Sequence, residues 1–159
     1  MHNTLDIEAS GFGRNSYPIE IGYVLEDGES WCTLIKPLPE WTHWDEAAAG
    51  LHGITRAALE QHGRTPQVVA RALNRALVGR TVYCDGWAHD YAWMAALYEA
   101  AGLSPNFRLE SAAVLLPPDG LDRLGPARQR AQTSLGLARH RASGDARLLQ
   151  RALSDLRAG

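Results

Sequence analysis

The chain has 159 residues, with 16 basic and 18 acidic side chains for a net charge of −2, and 45% of its residues are hydrophobic. These proportions exclude intrinsic disorder and predict one globular domain over residues 1–159, long enough to bury roughly 70% of the surface its unfolded form exposes. No apolar run approaches the ~20 residues that cross a bilayer, residues 1–6 carry no leader-like pattern, and Cys32 and Cys84 lack metal-ligand spacing; the expectation is a reduced, cytoplasmic protein without a membrane partner.

Leu5 and Ile7 alternate with Asp6 and Glu8, so residues 4–9 read as a strand that stops at Ser10-Gly11. Residues 19–25 form a second strand, closed by the turn signal Glu26-Asp27-Gly28, and residues 31–35 a third. Residues 41–53 are polar and aromatic without a period and read as loop with at most one helical turn. Helices follow over 55–61 and 66–78, the second with Thr65 as N-cap. Residues 81–84 make a short buried strand, 89–101 a helix ending at Gly102, and 107–111 a fifth strand. Residues 122–137 are helical but interrupted at Gly125-Pro126, and a last helix over 144–156 sets Leu149, Ala152, Leu153 and Leu156 on one face. This order predicts an α/β protein with a mixed five-stranded sheet flanked by helices.

The small net charge hides a gradient. Residues 1–63 hold ten acids against three bases, whereas residues 121–159 hold eight arginines against three aspartates. A basic tail of this kind is either a solvated helix surface or a footprint for phosphates.

Asp6 and Glu8 lie at i and i+2 on a strand, so both carboxylates leave the same face. Paired acids repel, and they face either water or a hard cation such as Mg²⁺ or Mn²⁺. Asp90 opens a helix directly after the 81–84 strand, where ligand sites of α/β sheets gather, although an acid in a first turn also serves the helix dipole. Asp145 opens the last helix, and His140 precedes it by five residues. The two share a side only if His140 stands on the loop before the helix.

Together these residues resemble a known pattern. Leu5-Asp6-Ile7-Glu8-Ala9-Ser10-Gly11-Phe12 is similar to the first motif of the DEDDh 3′–5′ exonucleases, the superfamily of ribonuclease T, oligoribonuclease and the bacterial proofreading subunit. Trp87-Ala88-His89-Asp90 falls at the second motif. His140-Arg141-Ala142-Ser143-Gly144-Asp145-Ala146 resembles the third, with histidine five residues before aspartate. The segment Leu51-His52-Gly53-Ile54-Thr55 is similar to the loop ahead of a helix in that superfamily. The resemblance runs from residue 4 to about 155. One departure stands out: many members carry His-Asn four to five residues before the second-motif aspartate, where this chain has Asp85-Gly86. Asp85 is read as a turn residue at the strand end rather than as a catalytic group.

The resemblance implies a ribonuclease H-like fold and an enzyme in which Asp6, Glu8, Asp90 and Asp145 hold two Mg²⁺ or Mn²⁺ ions and His140 is the general base. It implies release of nucleoside 5′-monophosphates from the 3′ ends of short or single-stranded nucleic acid, RNA ahead of DNA. Ala9, Ser10, Gly11, Phe12, His52 and Arg141 are the expected substrate contacts, with Phe12 stacking on a base. The alternatives are an exodeoxyribonuclease of single-stranded DNA, or a non-catalytic ribonuclease H-like module that binds nucleic acid. A homodimer is a further expectation from relatives such as ribonuclease T. Trp41 and Trp44 are read as packing a long loop onto the domain.

Overall fold

The computed structural model describes residues 1–158. Strands β1 (Thr4–Ala9), β2 (Pro18–Val24) and β3 (Ser30–Leu34) open the chain, followed by helices α1 (Glu46–His52), α2 (Arg56–His62) and α3 (Pro66–Leu77). Then come β4 (Thr81–Cys84), α4 (Trp87–Ala101), β5 (Arg108–Ser111) and one 3₁₀ turn, and finally α5 (Gly120–Leu135) and α6 (Ala142–Ala158). The sheet has the order β3-β2-β1-β4-β5. Pairing is antiparallel for β1–β2 and β2–β3 and parallel for β1–β4 and β4–β5, which is the mixed five-stranded sheet the sequence predicts.

The alternation in β1 is put to use by both faces of the sheet. Leu5 and Ile7 are buried with Ile21 and Tyr23 of β2 against Val69 and Leu73 of α3 and Leu97 of α4. Burying each such side chain stabilises the fold by about 1.5–3 kcal/mol. The opposite face receives α6. The Thr4 hydroxyl donates to the Ala146 carbonyl at 2.7 Å, and Asp6 pairs across the ladder with Gly22, Glu8 with Glu20. A Cβ on Gly22 would stand 2.7 Å from the Ser143 nitrogen. Only glycine lets the start of α6 lie this close to the sheet.

Three elements differ from the sequence expectation, each for a physical reason. The 41–53 segment contains α1, a seven-residue helix whose N–H at Ala47 is capped by Asp45 and which ends at Gly53 in the left-handed region. Its Glu-Ala-Ala-Ala start has good helix propensity but no apolar stripe, so periodicity misses it. Helix α5 runs unbroken through Pro126. Leu124, Ala127 and Ala131 are buried along it, and Leu124 and Ala127 share a cluster with Leu149 and Leu153 of α6; this packing outweighs the ~3 kcal/mol that an interior proline costs. Helix α6 begins at Ala142 rather than at 144, because the buried Glu20 carboxylate accepts the Ala142 N–H at 2.7 Å. No helix among the described residues is long and apolar enough to cross a membrane.

Candidate active site

The carboxyl ends of the adjacent parallel strands β1 and β4 meet the start of α6 at one cleft, as expected for a ligand site of an α/β sheet. Asp6, Glu8, Phe12, His52, Asp90, His140 and Asp145 all line it, with Asp85, Arg128 and Arg139 beside them. One carboxylate oxygen from each of Asp6, Glu8 and Asp145 falls within 4.8 Å of the others. Asp90, from the first turn of α4, stands outside that group of three but is 97% buried in the same cleft.

Burial and mutual repulsion push these acids up together. Glu8 is raised to about 7, by desolvation first and then by the charges of Asp145 and Glu20. Asp90 is raised to about 8, by desolvation and then by Asp85. Asp6 lies well above the usual carboxylate range, because it is desolvated and faces Asp90, Glu8 and Asp145. Its Oδ2 is buried without a hydrogen-bond partner. Buried polar atoms are ordinarily paired. An unpartnered carboxylate oxygen among converging acids is the donor set of a hard divalent cation, and the residues present fit one.

Asp145 is held from its own N-terminal side. The Arg139 Nε donates to its Oδ1 at 2.9 Å and the His140 N–H to its Oδ2 at 3.0 Å. His140 adopts φ +65°, the one non-glycine residue in the left-handed region among those described. That conformation costs roughly 1–2 kcal/mol, and the bond to Asp145 helps to hold it. It places the imidazole on the loop beside the cleft, where the sequence requires it to be.

The expected substrate contacts divide. Ala9, Gly11, Phe12 and His52 line the cleft. Phe12 is 67% exposed and packs edge-on to His89 with ring centroids 5.0 Å apart. A Cβ on Gly11 would meet the Asp45 Cβ at 2.7 Å and the His43 ring at 2.8 Å, so the tight turn after β1 requires glycine. Ser10 is turned inward. Its N–H donates to the Tyr17 carbonyl, and its hydroxyl is shared with His43 and the Tyr17 N–H. Arg141 is also placed differently from the expectation. Its guanidinium grips Glu20, with Nη2 to Oε2 at 2.7 Å and Nε to both oxygens at 3.1 Å, so it ties the third-motif loop to β2 and stays out of the cleft. Trp41 stacks on Tyr17 at 5.3 Å, as loop packing predicts.

No protein-family model matches this chain, and no curated protein does. Solved structures do. E. coli exonuclease I in complex with a dT13 oligonucleotide superposes over 99% of this chain and 42% of that one, with a TM-score of 0.69 at 13% identity. Exonuclease I of Methylocaldum szegediense superposes over 96% and 40%, at 0.68 and 14%. The zinc-bound E. coli exonuclease I–ssDNA complex superposes over 98% and 41%, at 0.62 and 14%. This chain has the exonuclease I fold. It spans about two fifths of the length of those structures.

Within the exonuclease I fold, the cleft contains groups the motifs do not reveal. Leu51, 62% exposed, stands at its rim. Trp93 stacks on His89 at 5.7 Å to continue the aromatic wall behind Phe12. Arg128 reaches in from α5 with its guanidinium on Asp85. Leu51, at least, lies in a segment the motif comparison already touched. Arg128 lies 38 positions from Asp90 with no local pattern to mark it, and only the packing of α5 brings it here.

Proposed function

We propose that this chain is a divalent-metal-dependent 3′–5′ exonuclease of single-stranded nucleic acid that releases nucleoside 5′-monophosphates. The observation that carries this reading is the convergence of Asp6, Glu8 and Asp145 around a buried, unpartnered Asp6 oxygen, with His140 on the same cleft. Asp6, Glu8 and Asp145 would hold one Mg²⁺ or Mn²⁺ ion, and Asp6 with Asp90 a second. Such ions activate water and stabilise charge on the attacking and leaving oxygens of a phosphodiester.

The protein's own part follows from the side chains. His140 takes the proton of the attacking water at its imidazole, the general-base role that its place on the cleft beside Asp145 supports. Phe12 and Leu51 offer exposed apolar surface for the terminal base, and stacking on an aromatic ring is worth ~1–3 kcal/mol whatever the base. His52 receives the Ile54 N–H on Nδ1 at 2.9 Å, which puts the proton of its neutral ring on Nε2. Burial lowers its pKa and keeps it neutral. Nε2 is buried without a partner and His52 lines the cleft, which supports a contact of this ring with the bound end. RNA is the substrate the motif resemblance puts first. The DNA oligonucleotides bound by the fold's neighbours favour a second reading, single-stranded DNA.

The test uses 5′-labelled RNA and DNA oligomers, single- and double-stranded, with Mg²⁺ or Mn²⁺. A ladder shortening from the 3′ end is expected, abolished by EDTA and by Asp6→Ala, and slowed about 10²–10⁴-fold by His140→Ala. Absence of cleavage on every substrate with either ion would sink the proposal.

A further inference from the structure

Of the two arginines that line the cleft, Arg128 is the more deeply buried. It projects from α5 between Ala127 and Ala131 on the buried side, and both alanines are packed away from solvent. Its side chain is 13% exposed and its Nε is buried without a partner. Nη1 donates to the Asp85 carboxylate, while Nη2 stands 3.8 Å from Asp145 Oδ1, just beyond hydrogen-bonding distance. The guanidinium therefore has two acidic partners within reach, Asp85 and Asp145, and it is bonded to the first. Arg139 shares Asp145 Oδ1 but sits on a loop with a third of its side chain in water, so it can leave when another cation arrives.

These facts give Asp85 a task. A fixed positive charge beside Asp145 opposes a divalent ion bound by the same carboxylate, and full contact between the two would occupy the ligand oxygen altogether. We propose that Asp85 is a positioning residue that holds Arg128 off Asp145, and thereby sets the affinity of the carboxylate cluster for divalent cations. The proposal rests on the metal-site reading above and extends it to the position where the second motif carries Asp85-Gly86. Arg128 is a competitor built into the site, and Asp85 is what keeps it from competing.

The test is Mn²⁺ binding to the full chain, measured by isothermal titration calorimetry, with folding of each variant checked by circular dichroism and thermal melting. Asp85→Asn keeps the size but removes the charge that holds the guanidinium, and it is expected to weaken Mn²⁺ binding about tenfold or more. Arg128→Met alone is expected to leave binding unchanged or tighter. The double variant is expected to recover binding to within threefold of wild type, because the competitor is gone. Asp85→Ala with Arg128→Met repeats the cycle if the Asn variant folds poorly. An Asp85→Asn effect under threefold, weaker binding in Arg128→Met, or a double variant no better than Asp85→Asn each overturns the inference. Wild-type binding that Asp6→Asn abolishes supports the metal-site reading independently. If wild type binds no Mn²⁺, that reading falls, whereas a failed cycle on a binding-competent wild type overturns only the role of Asp85.

Discussion

Glu8 and Asp90 hold their protons to about 7 and about 8 because desolvation and neighbouring acids penalise the charged form. Their ordinary values are 4.5 and 3.8, so the folded chain binds protons more tightly than the unfolded one. Stability then falls as pH rises between the two sets of values, since the native state is the more protonated. In EDTA the melting temperature is expected to drop by about 5 °C from pH 5.5 to pH 8. Saturating Mg²⁺ replaces the protons as counter-charge and is expected to remove or reverse that slope. A melting temperature that rises with pH in EDTA would show that the acids are not coupled as described. Asp6 and Glu8 are legible in sequence because alternation on a strand is a local signal. Glu20 is not, although it is 98% buried and takes three hydrogen bonds from Arg141 and one from Ala142. Its partners lie more than 120 positions away, and nothing in Ile19-Glu20-Ile21 announces them.

At the scale of elements, the placement of α6 on β1 and β2 sets the site, because α6 carries Asp145 over Asp6 and Glu8. Gly22 is the point of closest approach. Substituting Gly22→Ala puts a methyl group 2.7 Å from the Ser143 nitrogen and 3.0 Å from the Ala142 carbonyl carbon, both backbone atoms that cannot rotate aside. Overpacking of this kind costs about 1–3 kcal/mol, and the helix start must shift, carrying Asp145 with it. Chemical denaturation is expected to show that loss, and calorimetry a weaker divalent-ion affinity. Gly50→Ala in α1 is the control: nothing lies within 4 Å of its new Cβ, and stability is expected to hold or rise slightly. A Gly22→Ala variant as stable as wild type, with unchanged ion binding, would detach the helix contact from the site. Elements with an apolar period, such as α3 and the face of α6, were open to sequence reasoning. Helix α1 was hidden by its lack of a stripe, and the unbroken α5 by a proline whose cost only tertiary packing offsets.

The charge gradient belongs to the whole molecule, and the structure changes its meaning. Most arginines of the stretch after residue 120 are paired within the chain. Arg123, Arg128, Arg139, Arg141 and Arg151 each sit on a carboxylate. Arg147 donates to the Gly28 carbonyl, and Arg157 meets His2. What the sequence offers as a broad phosphate footprint is in part a set of counter-charges: Arg128, Arg139 and Arg141 serve Asp85, Asp145 and Glu20, while Arg123 and Arg151 make exposed surface pairs. Arg130, Arg147 and Arg157 remain off carboxylates, so a strand that follows this surface has about three cations to neutralise its phosphates. For single strands the logarithm of affinity falls by about 0.7 per neutralised phosphate for each decade of salt. Binding of a labelled single-stranded decamer to the Asp6→Asn chain is therefore expected to weaken about eighteenfold between 50 and 200 mM salt. A slope steeper than about 3 would mean that the arginines abandon their carboxylates for the phosphate backbone, and that the tail is a footprint after all. The shallow slope follows if the affinity comes instead from the aromatic wall of Phe12, His89 and Trp93, because stacking barely responds to salt.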